Sequence, residues 1–183
     1  MIYESYPWKQ DLLRWRKLII KNNTHEKYLK NDDKAYTIVE KGVFYTAFIV
    51  RKLIEAKGKV SDEAERYSFQ VHAIKSLKPI DLLHRWPDIN THDWGKEQTL
   101  RVQGKDICNW LIHSYIFFMI EDDKPFSFFC VSSDYDRNKC LYRISMEDWL
   151  NYMKFIATDY VVAINSHYDE KQKDYVYTKK ERG

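Results

Sequence analysis

The sequence predicts an α+β fold in which a helical core of about four helices packs against a small antiparallel β-sheet. Apolar residues recur at helical spacing in the first third of the chain and alternate with polar residues from Tyr67, which is the period of a strand with one buried face. The chain has only 5 Gly and 4 Pro, so long elements are favoured over a many-turned sandwich or barrel. Its 183 residues predict a single domain covering residues 1–183.

The first third of the chain predicts two helices separated by a polar segment. The segment from Pro7 to about Lys21 has an apolar stripe opposite charged residues, and Pro7 suits the first helical turn. Residues 35–56 carry apolar side chains nearly all round a helical wheel, which is typical of a buried helix. Residues 22–34 are rich in Asn, Asp and Lys, so we expect a mobile loop or a frayed helical extension there.

The remaining sequence predicts strands around two further helices. Residues 67–73 alternate as a strand, whereas residues 78–98 predict an irregular segment. Ser145 and Asp148 resemble a capping box that begins a last long helix. The other predicted elements are a helix from Gln103 or Gly104 to Ser114, strands at residues 115–120, 126–131 and 139–144, a helix at residues 146–158, and a terminal hairpin of residues 161–164 and 175–177.

Charge and cysteine content exclude several classes of protein. The net charge is +3, with Lys and Arg interspersed among Asp and Glu, so charge alone does not indicate binding of naked nucleic acid. Cys108, Cys130 and Cys140 lack CxxC spacing, which favours buried, inert thiols in a reducing cytoplasm over a disulfide framework or a zinc knuckle. No signal peptide, membrane span, P-loop, dinucleotide-binding or HExxH pattern occurs, so we expect a cytoplasmic protein with no membrane contact and no cofactor.

The predicted helix that ends near Ser114 carries three polar groups able to act together. At 100° per residue, Asp106, Asn109 and His113 cluster on the side opposite an apolar stripe. A carboxylate, an amide and an imidazole are groups that exchange protons or hydrogen bonds with a ligand, so these are the candidate catalytic residues. The alternative is that Asn109 and His113 hydrogen-bond to a neighbouring helix or to the β-hairpin.

The segment CNWLIH in this helix resembles the signature of the HEPN superfamily, the helical domains of many toxin, abortive-infection and CRISPR-linked ribonucleases. That signature is an Arg, often followed by Asn, Asp or His, and a His four residues after that. Asn109 and His113 match it, whereas Cys108 stands at the Arg position. The resemblance implies metal-independent RNA cleavage in which the His transfers a proton and the Arg holds the phosphate, a task for which a thiol cannot replace a guanidinium.

Two functions follow from the resemblance. The first is a non-catalytic interaction module of HEPN-like type, in a bacterial defence or toxin–antitoxin context, that binds a partner protein or RNA. The alternative is a metal-independent HEPN-like endoribonuclease that uses His113, with an arginine supplied by the fold from Arg51, Arg101 or Arg137.

Two further expectations come from resemblances. Because HEPN protomers commonly bring their motif helices together, the helix that carries Asp106, Asn109 and His113 is the expected homodimer surface. The phrases YPWK, FxxRKLIEA and CNxxIHSYIF are similar to a family of bacterial proteins, which implies a single-domain bacterial protein and no particular activity.

A second candidate site is a basic and aromatic patch late in the chain. Tyr135 is interleaved with Arg137, Lys139 and Arg143, a pattern suited to stacking on single-stranded RNA, and the alternative is an edge strand kept soluble by charge. If the strand is regular, Arg143 points to the face opposite Tyr142.

Two acidic segments predict ordinary surface structure. HRWPDINTHD contains ligand types for zinc or manganese at His84, Asp88, His92 and Asp93, but a surface loop anchored by tryptophan is the favoured interpretation. The run at residues 121–124 predicts a solvated hairpin turn. No metal site is therefore expected.

Overall fold

The computed structural model describes residues 2–83, 88, 90–121 and 125–181, with side chains as far as Tyr177, and these form six helices and seven strands. The helices are α1 (Tyr6–Asn22), α2 (His25–Lys30), α3 (Asp32–Glu55), α4 (Asp62–Glu65), α5 (Gly104–Ile112) and α6 (Met146–Thr158). The strands are β1 (Ser68–Lys75), β2 (Gln98–Gln103), β3 (Ser114–Ile120), β4 (Phe128–Ser133), β5 (Cys140–Ser145), β6 (Val161–Asp169) and β7 (Asp174–Glu181). The predicted α+β class is confirmed.

Five strands form one antiparallel sheet in the order β2-β1-β5-β4-β3. Since side chains alternate along a strand, Phe69 and Val71 of β1 point to the helices while His72 points to the other face. Strands β6 and β7 pair only with each other and form a separate two-stranded sheet.

The main core lies between the five-stranded sheet and helices α1, α3, α5 and α6. Helix α3 is its central element, and its buried residues lie on one side of the helix. The prediction of a helix buried nearly all round is wrong for the other side, where Tyr45 and Phe48 are exposed. Large aromatic side chains fill the space between the sheet and α6; they are Phe69, Phe129, Trp149 and Tyr152. The indole N–H of Trp149 donates to the Thr46 hydroxyl at 3.2 Å, so this buried polar atom has a partner.

The other face of the sheet is partly covered by the segment between β1 and β2. Ile80 and Trp94 of this segment pack on sheet residues that include Ile74 and Leu141. The predicted opposition of neighbouring side chains in β5 is confirmed. Tyr142 stacks on Trp110 on the helix side at 3.8 Å, and Arg143 binds Glu97 on the other side.

At the start of several helices a side chain accepts a hydrogen bond from a backbone N–H group. The Ser145 hydroxyl accepts the Asp148 backbone N–H at 3.3 Å, so the predicted cap of the last helix is confirmed. The Asn31 side chain accepts the Lys34 N–H at 2.8 Å, and α3 therefore begins before the first apolar residue. No helix in the described ranges is long and apolar enough to cross a membrane.

The structure corrects the prediction for one segment and adds a strand that the sequence did not predict. Residues 22–34 contain the short helix α2, begun by Thr24, whose hydroxyl accepts the Lys27 N–H at 3.4 Å, and are therefore not a continuous loop. Residues 98–103 form strand β2. Their side chains are mostly exposed, so no apolar alternation marks this strand, and pairing with β1 specifies it.

The structure also changes the predicted end of α5, the predicted length of the terminal hairpin and one burial prediction. Helix α5 ends at Ile112 and not at Ser114, because β3 already begins at Ser114. The terminal hairpin is longer than predicted and spans Val161–Asp169 and Asp174–Glu181. Cys108 and Cys130 are buried as expected, whereas Cys140, at the start of β5, is half-buried.

Candidate nucleic-acid interface

The three polar side chains predicted to share one face of α5 lie in different environments. Asp106 is half-buried, and its carboxylate accepts the Gln103 backbone N–H at 3.2 Å, which caps the start of the helix. Asn109 is half-buried one turn later. His113 is exposed and follows the last helical residue, with φ −107° and ψ 29°. Asp106 and His113 are therefore about 10 Å apart along the helix axis, and the helix does not gather all three groups at one point.

His113 joins α5 to the turn between β4 and β5. Its N–H donates to the Asn109 carbonyl at 3.0 Å, and its own carbonyl accepts the Asp134 N–H at 3.1 Å. The Asp134 carboxylate lies 3.2 Å from an Arg137 guanidinium nitrogen. Among the three candidate arginines, Arg137 is therefore connected to His113, because Asp134 contacts both residues.

Cys108, at the position of the family arginine, cannot take that residue's role. Its side chain is fully buried, and desolvation raises the pKa of the thiol far above its ordinary value. The positive charge of Arg51 opposes that shift only in part, and the Arg51 Nε donates to Glu55 at 2.8 Å. Arg101 donates to the Ser68 hydroxyl at 2.7 Å.

The predicted RNA patch divides into two separate sites. Lys139 lies over the Tyr135 ring at 3.4 Å and 3.6 Å from Asp136, while Arg137 stacks on Tyr115 at 4.3 Å. Arg143 lies in the middle of β5, where it binds Glu97 and packs on the Phe128 ring at 5.0 Å. These cations already have acidic and aromatic partners within the chain.

A cleft of about 380 Å³ between α1, α2 and the start of α3 is strongly basic. Four lysines and two asparagines line it, and none of the described lining residues is acidic. We call it the lysine cleft, defined by Lys21, Lys27, Lys30, Lys34, Asn22 and Asn31. The lysines come from three elements that meet in space, whereas the nearby carboxylates of Glu26, Asp32 and Asp33 do not line it. The cleft therefore presents positive charge to an anionic ligand.

A second cleft of about 560 Å³ lies further along the same pair of helices. It is mainly aromatic; we call it the aromatic cleft, defined by Trp15, Glu40, Lys41, Phe44, Tyr45 and Phe48. Tyr45 and Phe48 are 44% and 41% exposed, which leaves ring surface free for a planar ligand. Burial raises the pKa of the Glu40 carboxyl, and the neighbouring charge of Lys41 lowers it by less.

The two clefts share no lining residue but lie one after the other along α1 and α3, which run antiparallel. Trp8 packs near Phe48 and Trp15 near Tyr45, with ring centroids 6.4 and 5.5 Å apart, while Leu18 and Lys21 line the lysine cleft with Lys34. From Lys34 to Phe48 the axis of α3 spans about 20 Å. We call this surface the α1–α3 groove; it carries lysines at one end and aromatic rings at the other.

The sequence pattern did not reveal this groove. Lys27 and Lys30 fall in the segment predicted to be a mobile loop or a frayed helical extension, and Tyr45 and Phe48 fall in the helix predicted to be buried nearly all round. The sequence signal for the cleft was the group of lysines within residues 21–34. Their positions on helices are clear only when the bounds of α2 and α3 are known.

In the two acidic segments the described side chains make contacts within the chain. His92 is buried, with its Nδ1 2.9 Å from the Thr91 hydroxyl, and burial lowers its pKa. Across the part of the chain that the structure covers, no group of three His, Cys, Asp or Glu side chains could hold a metal ion. His84 and the acidic run at residues 122–124 lie outside the described residues.

Comparisons with protein-family models, with curated proteins and with solved structures found no match to this chain. The HEPN resemblance therefore stays a prediction.

Proposed function

We propose that this protein is a non-catalytic interaction module that binds single-stranded RNA in the α1–α3 groove, within the HEPN-like bacterial defence or toxin–antitoxin context implied by the motif. The observation that carries the proposal is that the lysine cleft and the aromatic cleft lie along the same antiparallel pair of helices, α1 and α3. Lysines along the backbone path and aromatic rings for the bases are how proteins bind single strands without reading sequence.

The dimensions of the groove agree with a short stretch of RNA. A span of about 20 Å corresponds to roughly six nucleotides at the 3.4 Å rise of a stacked strand. The lysine ammonium groups would neutralise phosphates, and the exposed Tyr45 and Phe48 rings would stack on unpaired bases. Since stacking is the main contact to the bases, we expect little dependence on sequence.

The decisive experiment compares lysine variants in an RNA-binding titration. Anisotropy of a fluorescent single-stranded RNA is measured against the protein at several salt concentrations. Four phosphate contacts predict a slope of about −3 for log K against log salt, and the double variant Lys27→Gln, Lys34→Gln should reduce it to about −1.4 and weaken binding. The matched control Lys105→Gln, Lys154→Gln removes two exposed lysines outside the groove. Equal loss in both variants would refute binding in the groove.

A second variant separates base stacking from charge. Tyr45→Ala should cost about 1–3 kcal/mol of binding energy for single-stranded RNA, and duplex RNA, whose bases are already stacked, should bind less tightly to the wild type. Tyr135→Ala, in the patch predicted from the sequence, is the matched control because that ring is 81% exposed and already contacts Lys139. If Tyr135 matters and Tyr45 does not, RNA binds at the β4–β5 turn.

The ribonuclease alternative has one observation in its favour: Asp134, whose carboxylate binds Arg137, donates a backbone hydrogen bond to the His113 carbonyl, which keeps the two residues in one region. It predicts cleavage of RNA in EDTA that is lost in both His113→Ala and Arg137→Gln. The binding module predicts intact RNA with all three proteins. Cleavage that persists equally in His113→Ala would come from a contaminant or from another site.

A further inference from the structure

The C-terminal hairpin carries an exposed apolar face. Cross-strand register places Ile164, Tyr168, Tyr175 and Tyr177 on one side of the two-stranded sheet, and the rings of Tyr168 and Tyr175 meet edge to face at 5.4 Å. These four side chains are 42–51% exposed. A face of this kind on a free hairpin is marginally stable in water.

The described contacts between this hairpin and the rest of the chain lie near the end of α3. Ile164 packs against Gly58, whose lack of a side chain makes room for it. The Lys57 ammonium group lies 5.7 Å from the centre of the Tyr177 ring and 3.8 Å from the Asp174 carboxylate. These contacts anchor one part of the hairpin, while residues 162–168 of β6 remain exposed.

The sequences of the two strands differ in how many charged residues they contain. Strand β7 contains four charged residues, Asp174, Lys179, Lys180 and Glu181, whereas β6 contains one, Asp169, at its last position. Charged side chains on an edge strand disfavour the addition of another strand. Among the described strands only β7 pairs with β6, so the other edge of β6 has free backbone donors and acceptors.

We propose that β6 is a dimerisation edge, on which β6 of a second copy of this chain pairs antiparallel to form a four-stranded sheet in the order β7-β6-β6-β7. The regular part of β6 is Ala163–Asp169, after the register shift at its start. A two-fold axis through Ser166 places Ile164 of each copy opposite Tyr168 of the other, and aromatic and β-branched residues form favourable cross-strand pairs.

The charges of this segment are compatible with pairing to itself. In the same register, Asn165 faces His167 and Ala163 faces Asp169 of the other copy, so no like charges lie opposite each other. A second copy supplies these partners without any other protein, which is why we assign the edge to it. The dimer does not depend on RNA binding.

The test uses the full chain and two variants with opposite expected effects. Asn165→Lys, His167→Lys places lysine opposite lysine twice and should raise the dimer dissociation constant by about tenfold or more. Asn165→Lys, His167→Glu places lysine opposite glutamate twice and should keep it within about threefold of wild type. Sedimentation velocity over a range of protein concentrations gives the constants, and circular dichroism and thermal unfolding verify that both variants are folded.

Three results would overturn the proposal. A wild type that stays monomeric at every concentration excludes the dimer. A dimer that survives the lysine pair lies elsewhere, and Asn109→Arg then tests the surface of α5. A lysine–glutamate variant as weak as the lysine pair excludes the register centred on Ser166, whereas its recovery supports that register directly.

Discussion

At Gly104 the backbone of α5 lies directly against the ring of Tyr152. A Cβ at this position would lie 2.7 Å from Tyr152 Cε1 and closer still to its hydroxyl. The Tyr152 side chain is fully buried, and its hydroxyl has no hydrogen-bond partner among the residues that the structure describes. The start of α5 can therefore lie this close to Tyr152 of α6 only because residue 104 has no side chain, and the sequence pattern gives no sign of that requirement.

Gly104→Ala should lower the free energy of unfolding by about 1–3 kcal/mol, because the added methyl group overpacks a rigid aromatic cluster. Gly95→Ala is the matched control, since a Cβ there meets only an Asp93 oxygen at 4.0 Å. Urea unfolding followed by tryptophan fluorescence measures both. Equal stability of the two variants would show that Tyr152 moves aside freely.

Tyr152→Phe should stabilise the protein by about 1 kcal/mol or leave it unchanged, because it removes a buried hydroxyl that lacks a partner. The same unfolding titration measures it, with Tyr135→Phe at an 81% exposed position as the control. A clear loss of stability would mean that the hydroxyl has a hydrogen-bond partner, such as a bound water.

Among the secondary-structure elements, the pairing of α1 with α3 forms the surface to which we assign RNA binding. Ile19 packs into the space that a side chain at Gly42 would occupy, and this contact brings the two helices close together. The caps Thr24 and Asn31 then begin α2 and α3 so that their lysines face the end of α1. The groove is a product of these three elements together.

Glu40 is the one acidic residue among the described lining residues of the groove, so its removal should have the opposite effect to loss of a lysine. Glu40→Gln should strengthen RNA binding at neutral pH by up to about fivefold, the effect of one charge at about 4 Å in water. Because burial raises the pKa of this carboxyl, its protonation begins at a higher pH than for an ordinary Glu.

Wild-type binding should therefore tighten as the pH falls through the Glu40 pKa, and Glu40→Gln should show a flatter profile below neutrality. RNA titrations across that range measure both. Identical profiles for the two proteins would place the RNA away from the aromatic cleft.

For the whole molecule, a dimer through β6 would carry two copies of the α1–α3 groove. An RNA long enough to occupy both grooves should bind the wild type at least about tenfold more tightly than it binds the variant Asn165→Lys, His167→Lys, because the second contact becomes intramolecular. A short RNA that fills one groove should bind both proteins equally. Equal affinities for the long RNA would mean that the two grooves act independently.

The order of elements was largely predictable, whereas the site was not. Apolar spacing located the long helices, β1 and the central strands, and Ser145 marked the start of α6. Strand β2 lacked that signal because its side chains are mostly exposed. The chosen motif residues proved to be a helix cap at Asp106 and an exposed residue at His113.

Neighbouring residues alone were enough to predict the α+β class, the helical spacing of α3 and the capped start of α6, because periodicity and capping are local properties of the chain. The convergence of Lys21, Lys27 and Lys34 on one cleft could not be read from the pattern, because it requires α1 and α3 to lie antiparallel and α2 to connect them. This convergence depends on how closely α1 and α3 pack. At Gly42 the close packing requires that the residue has no side chain.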